Sequence, residues 1–267
     1  MLLDLYKRHI HYLRISVTDR CNLRCLYCMP EEGVPLIPHD QILSLEEIRD
    51  IVKVAISLGI DKIRLTGGEP LVRKGIVDLV AMIASFEGLR DLAMTTNGIL
   101  LSAFAADLKA AGLMRVNVSL DTMDPVRYAE ITRGGRIEDV LEGLAAAKAA
   151  GLSPIKLNAV VPFNAGPLAA GDVARFGEEQ GFEVRFIHQM DLHAGEFTVV
   201  EGGEGGDCAH CSRLRLSSRG VIYPCLFNDI GFDVRTLGAR EAILAAVRGK
   251  PKCGVPGSGN TFYGLGG

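Results

Sequence analysis

The chain has 267 residues, 48% of them hydrophobic, which suffices for one large α/β domain or two small ones around a continuous core. With 29 Lys and Arg against 32 Asp and Glu, the net charge of −3 argues against general polyanion binding such as nucleic acid, while leaving room for local basic clusters. No run of 18 apolar residues occurs and the first residues lack a basic stretch followed by an apolar block, so neither a membrane span nor export is expected and the expected location is cytoplasmic.

From Tyr12 onward, short β-branched or apolar runs alternate with helical periodicity. Strands are expected at Tyr12–Val17, Lys62–Thr66, Asp91–Thr95, Arg115–Ser119, Ile155–Val161 and Glu183–Phe186. Helices are expected at Leu45–Leu58, Val77–Phe86, Ala103–Ala111, Ile137–Ala150, Ala170–Gln180 and Ala239–Arg248. Ser44 is placed to cap the first helix, Glu47 to complete a capping box, and Gly59 to end it. Such alternation means parallel strands covered by helices. Six units are too few for the closed eight-stranded barrel, so an open, partial β/α barrel is expected, with a doubly wound sheet as the competing arrangement. The expected organisation is a barrel over 1–190, a glycine-rich linker over 191–207, and a C-terminal extension over 208–267.

Chemistry in such folds gathers at the carboxyl ends of strands, and the polar punctuation here follows that rule. A cysteine loop follows the first strand, Thr66-Gly-Gly-Glu-Pro70 the second, Thr95-Thr-Asn-Gly98 the third, Ser119-Leu-Asp121 the fourth and Phe186-Ile-His-Gln-Met190 the sixth.

Seven cysteines without an export signal read as metal ligands or reactive thiols, not disulfides. They group as Cys21, Cys25 and Cys28, then Cys208, Cys211 and Cys225, with Cys253 left over. The first triple is C-x3-C-x2-C; three thiolates on a cubane leave one of its irons open to a small molecule. A zinc site completed by another residue such as His39 is the rival reading. The second triple is C-x2-C-x13-C, where zinc is a stronger rival because His210 or Cys253 could complete it.

Together, C-x3-C-x2-C with Tyr27 before its last cysteine and Gly-Gly-Glu-Pro at the second strand resemble the radical S-adenosylmethionine superfamily. The runs Arg14–Pro30, Lys62–Arg73, Thr95–Gly98, Arg115–Asp121 and Arg185–Ile187, the stretch from Cys208 through Arg213 and Arg215, and Cys225 more closely resemble its MoaA (GTP 3′,8-cyclase) family of molybdenum cofactor biosynthesis. The closing Gly266-Gly267 also matches that family's terminus. The resemblance implies two 4Fe-4S clusters, held by Cys21, Cys25 and Cys28 and by Cys208, Cys211 and Cys225. It implies S-adenosylmethionine on the open iron of the first, lined by Tyr27, Gly67, Gly68, Glu69, Ser119 and Met190. Reductive cleavage then yields a radical that takes the 3′ hydrogen of GTP, and the substrate radical closes onto C8. GTP contacts are implied for Arg14, Arg64, Thr95, Lys156, Arg213, Leu214 and Arg215, with Arg14, Arg213 and Arg215 also serving catalysis. An electron donor such as flavodoxin or ferredoxin is implied, and a homodimer is compatible with it.

Physically, Gly67 and Gly68 admit backbone close to a methionine moiety, and Glu69 can accept from its ammonium. Guanidinium forks suit a triphosphate, and Arg213 and Arg215, alternating on a strand, project to one side. The chain departs from the family in three places: the short stretch between Met190 and Cys208, His188 where an acidic residue is usual, and a less basic tail. His188 reads as a hydrogen-bonded wall residue or a proton-transfer group, and Cys253 as a free thiol. The alternatives to GTP are another nucleotide or a peptide, and more remotely a non-catalytic metal-binding protein.

Overall fold

The computed structural model describes residues 1–163, 170–192, 194–256 and 262–265. Its first half alternates as expected: β1 (Tyr12–Ser16), α1 (Leu45–Ser57), β2 (Lys62–Thr66), α2 (Ile76–Ala84), β3 (Asp91–Thr96), α3 (Leu101–Ala110) and β4 (Arg115–Ser119). Then come α4 (Pro125–Thr132), α5 (Ile137–Ala149), β5 (Lys156–Val161), α6 (Gly171–Gln180) and β6 (Glu183–His188). The sequence reading did not include α4, although its start is marked. Pro125 fills the first turn and the Asp124 side chain accepts from the N–H groups of Val126 and Arg127 at 2.8 and 3.1 Å.

The last part adds β7 (Arg213–Leu216), β8 (Val221–Tyr223), β9 (Phe232–Asp233), α7 (Val234–Leu237), α8 (Ala239–Arg248) and α9 (Phe262–Leu265). All nine strands form one sheet in the order β6-β5-β4-β3-β2-β1-β7-β8-β9. The pairings from β6 to β7 are parallel, and β8 and β9 turn antiparallel. The order ends at β6 and β9 without closing, so the partial barrel is the architecture found. The second cysteine triple flanks β7, which pairs with β1 and therefore carries that triple into the barrel's own sheet.

Alternation fixes which face each residue takes. Leu13 and Ile15 of β1, Ile63 and Leu65 of β2, and Leu214 and Leu216 of β7 are all fully buried in the main core. Residues between them, including Tyr12, Arg14, Lys62, Arg64, Arg213 and Arg215, take the opposite, interior face. On the outside, α1 presents Ile48, Ile51, Val52 and Ala55, one stripe at helical spacing, to the same core.

Residues expected to form a linker are tied to the sheet edge instead. Phe186 and Glu201 exchange backbone hydrogen bonds of 3.1 Å, and the Val200 N–H donates to Gly205 at 2.7 Å. Glycine serves close approach here, because a Cβ on Gly206 would stand 2.0 Å from the Thr198 carbonyl oxygen.

The capping box at α1 is formed as read: Ser44 accepts from the Glu47 N–H at 3.1 Å and the Ser44 N–H donates to Glu47 at 2.7 Å. Glu47 also meets Arg235, at 3.1 and 3.2 Å, joining the C-terminal part to α1. Ser44→Ala is expected to cost about 1 kcal/mol, lowering the thermal midpoint by roughly 2–4 °C, measurable by calorimetry on the apoprotein.

Candidate active site

The parallel register places Arg215, Arg14 and Arg64 side by side across β7, β1 and β2. All three are at most 8% exposed, so three like charges are packed together on the interior face. Burial, and then Arg215 beside it, holds the Arg14 guanidinium well below its usual range. Burial lowers Arg64 as well, and Arg215 is pushed down to about 10 by burial and then Arg213. The Arg64 Nε is buried with no hydrogen-bond partner among the described residues, and its guanidinium lies 5.4 Å over the Tyr12 ring. Arg115, two steps further along the row beyond Ala93, is matched by Asp91 at 2.9 Å.

These arginines line a cavity that also carries Arg185, Arg213 and Lys250 on its wall, with Glu204 and Asp207 as the acidic residues among the described ones. Cys208, Cys211 and Cys225 lie on its far side. Burial alone raises the Cys211 thiol, but Lys250 and then Arg213 outweigh it and bring it down to about 7. Among the described residues no three of the thiols converge tightly enough for a single metal ion. The tail reaches the same place: the Leu265 carbonyl accepts from Arg215 at 3.4 Å, and Leu265 packs with Leu192, Leu226 and Phe227.

A second cavity begins at Cys21, Cys25 and Cys28 and runs past Gly67, Gly68, Thr95 and Ser119 to Met190. The thiols sense one another: burial, then Asp121 and Cys28, push Cys25 up to about 12, and burial, then Cys21, push Cys28 up to about 11. Three thiols on one loop are a donor set for an iron–sulfur cluster, and the cavity beside them has room for a nucleoside-sized cofactor with Tyr27 and Ser119 on its wall. The Thr95 hydroxyl, buried and without a hydrogen-bond partner among the described residues, is left for a bound molecule. Asn158, Ile187 and Met190 line both cavities, so the two meet there.

Several implied residues also have partners within the protein. Glu69 is fully buried and lines neither cavity; its carboxylate accepts from Leu71 N–H at 3.0 Å, Thr96 Oγ1 at 2.8 Å and Asn97 N–H at 2.7 Å. Burial pushes that carboxyl up to about 7 against the pull of its donors. The missing Cβ of Gly68 faces the Arg20 carbonyl oxygen at 2.3 Å, and Gly67, at φ +150°, faces that of Thr18 at 2.6 Å, so both glycines first serve the approach of two rim loops. Tyr27 donates to Asp121 at 2.8 Å, and Asp121 accepts from the Val160 N–H at 2.8 Å. Lys156 is taken up by an ion pair with Glu183 and lines neither cavity. Leu214 points its side chain into the outer core, leaving only its backbone for a ligand. His188 lines the first-triple cavity and lies 3.1 Å from both Glu201 and the Phe163 carbonyl, as a hydrogen-bonded wall residue would. Gly266 and Gly267 lie outside the described residues.

The sequence reading named neither Arg185, Asn158 nor Lys250 as a site residue. Asn158 pairs in register with Ser119 and with Arg185, so strand alignment would have found both. Lys250 had no local signal.

A family model described as the radical SAM superfamily matches residues 15–165. The GTP 3′,8-cyclase of Heliobacterium modesticaldum is 42% identical over 305 aligned residues, covering 94% of this chain and 93% of its own length. That of Moorella thermoacetica is 42% identical over 293, covering 91% and 90%. Both alignments exceed this chain's 267 residues, so each relative carries residues that this chain lacks. Among solved structures, Streptococcus suis SuiB bound to S-adenosylmethionine superposes with a TM-score of 0.67 at 16% identity, over 91% of this chain, which spans 64% of SuiB. The anSMEcpe structure with bound AdoMet gives 0.64 at 16% identity, over 90% of this chain and 78% of its own. At these identities the likeness is one of fold.

Glu69→Ala leaves two backbone N–H groups and a hydroxyl without their acceptor. It is expected to destabilise the metal-free protein by about 2–4 kcal/mol, seen as an earlier unfolding midpoint in urea. An unchanged midpoint would show that the rim does not depend on these bonds.

Proposed function

We propose cyclisation of GTP for this chain, which belongs to the GTP 3′,8-cyclase family of the radical S-adenosylmethionine superfamily. The enzyme is a lyase of molybdenum cofactor biosynthesis, and its product is 3′,8-cyclo-7,8-dihydro-GTP. Its cofactors are S-adenosylmethionine and 4Fe-4S clusters, for which Cys21, Cys25 and Cys28, and Cys208, Cys211 and Cys225, are the thiols that would hold iron. When bound and reduced, these cofactors supply a carbon-centred radical able to take the 3′ hydrogen of the substrate.

The chain's own residues provide position and charge. The observation that carries the substrate reading is the buried row Arg215–Arg14–Arg64, backed by Arg185 and Arg213. Several cations buried side by side are costly, and a triphosphate supplies negative charge that offsets their repulsion. Arginine forks then bind its oxygens bidentately. With the triphosphate on that row, the base is directed to the second thiol triple and the ribose to the junction at Asn158, Ile187 and Met190. The buried Thr95 hydroxyl is a donor at the cofactor side of that junction. Phe197, Leu226 and Phe227, together with the glycine-rich segment around Val200, close the outer wall against water.

No described helix is long and apolar enough to cross a membrane. We place the enzyme in the cytoplasm, with a small electron-transfer protein such as flavodoxin or ferredoxin as donor.

Arg64→Met tests the substrate assignment. It removes an interaction between a guanidinium and phosphate, so GTP affinity is expected to fall about 30-fold, or roughly 2 kcal/mol. Because the same change removes a buried charge, the thermal midpoint of the substrate-free protein should hold or rise. Anaerobic calorimetric titration should find S-adenosylmethionine affinity unchanged. GTP affinity equal to that of the parent protein would point instead to an uncharged or peptide substrate.

A further inference from the structure

Cys253 belongs to neither triple, and the reaction as described makes no use of it. Its Sγ nevertheless stands 3.2 Å from that of Cys208. Two buried cations fix the backbone around this pair. Arg8, 7% exposed and oriented by Asp4 at 2.6 Å, donates to the Cys208 carbonyl at 2.7 Å. The same guanidinium donates to the carbonyls of Lys252 at 3.0 Å and Pro251 at 2.6 Å. One side chain thus ties the backbone of Cys208 to the two residues that precede Cys253. Lys250, 3% exposed, donates to the carbonyls of Arg213 at 2.7 Å and Pro224 at 2.6 Å, each beside a cysteine region of the triple. Beyond Cys253, the Val255 N–H donates to Phe227 at 3.0 Å. Burying two charged side chains to fix the backbone of five residues is out of proportion to placing a surface thiol, and is understandable if the thiol is a ligand.

We propose that Cys253 is a fourth thiolate ligand of the second iron–sulfur cluster, occupying the iron that Cys208, Cys211 and Cys225 leave open. The proposal rests on reading that triple as a cluster site. Binding forms one sulfur–iron bond, releases the thiol proton to solvent and transfers no electron. Ligands on separate irons stand further apart than the two sulfurs do here, so ligation requires exposed Cys253 to turn about its Cα–Cβ bond. A substrate that ligates the same iron has to displace Cys253, which then swings into solvent and regains its proton. The open iron is thereby closed until substrate arrives.

The test uses the full chain with Cys21→Ala, Cys25→Ala and Cys28→Ala, so that only the second site is loaded under anaerobic reconstitution. It is compared with the same chain also carrying Cys253→Ser, and with one carrying Cys253→Ala. A cubane with three cysteine ligands readily loses its fourth iron to mild ferricyanide oxidation, leaving a three-iron cluster visible by electron paramagnetic resonance. The signal should be weak with Cys253 present and several-fold stronger in both variants, at about four irons per chain before oxidation in each case. Equal signals in all three chains would overturn the proposal, as would a Cys208–Cys253 disulfide found by mass spectrometry in the loaded protein. Failure of the Cys253-containing chain to take up iron would overturn the second-cluster reading itself.

Discussion

Arg215, Arg14 and Arg64 on adjacent parallel strands set the terms for the rest of the molecule. Adjacent strands bring these guanidinium groups close enough that, after burial, Arg215 and then Arg64 help hold Arg14 below its usual range. The fold sustains this because the opposite faces of the same strands carry Leu13, Ile15, Ile63, Leu65, Leu214 and Leu216 into a closed core. Each such side chain contributes roughly 1.5–3 kcal/mol when buried. The apolar face therefore holds the strands while the interior face gathers buried positive charge. A substrate with several negative charges relieves that repulsion on binding, and an uncharged competitor does not.

Placement of the thiols follows from the same register. β1 leads directly into the loop of Cys21, Cys25 and Cys28, while β7, its parallel neighbour, begins just after Cys211. The two triples therefore stand at opposite ends of adjacent strands, with the cationic row between them and the cavities meeting at Asn158, Ile187 and Met190. Radical chemistry needs water and stray hydrogen donors kept from that junction, and the wall that does this is compact. Residues 194–206 lie along β6 through the Phe186–Glu201 bridge, where the relatives carry a longer chain somewhere in the aligned span. The aromatic pair Phe197 and Phe227, with ring centroids 4.5 Å apart, closes that side.

Much of this was legible in the residue order. Period-two alternation put Arg14 with Arg64, and Arg213 with Arg215, on interior faces, and the cysteine spacings located both triples. Two kinds of information were not local. The register between β1, β2 and β7 turned separate arginines into one row, and the Asn158–Arg185 pairing brought in residues that no motif marks. Glycine misled in one place: Gly202 to Gly206 reads as a flexible linker, yet the backbone there passes within contact of Thr198 and Val184. Glu69 shows the opposite case. Its motif suggests a ligand contact, and the structure adds capping and loop-fixing bonds to Leu71, Thr96 and Asn97 that the motif does not announce.

The central claim is that the substrate's ribose lies at the junction of the two cavities while its triphosphate lies on the arginine row. The direct measurement is single turnover of anaerobically reconstituted protein with S-adenosylmethionine, reductant and GTP carrying deuterium at its 3′ carbon. The account predicts 5′-deoxyadenosine containing one deuterium, formed only when GTP is present. Deoxyadenosine formed at the same rate without GTP, or formed with GTP but free of deuterium, would contradict it.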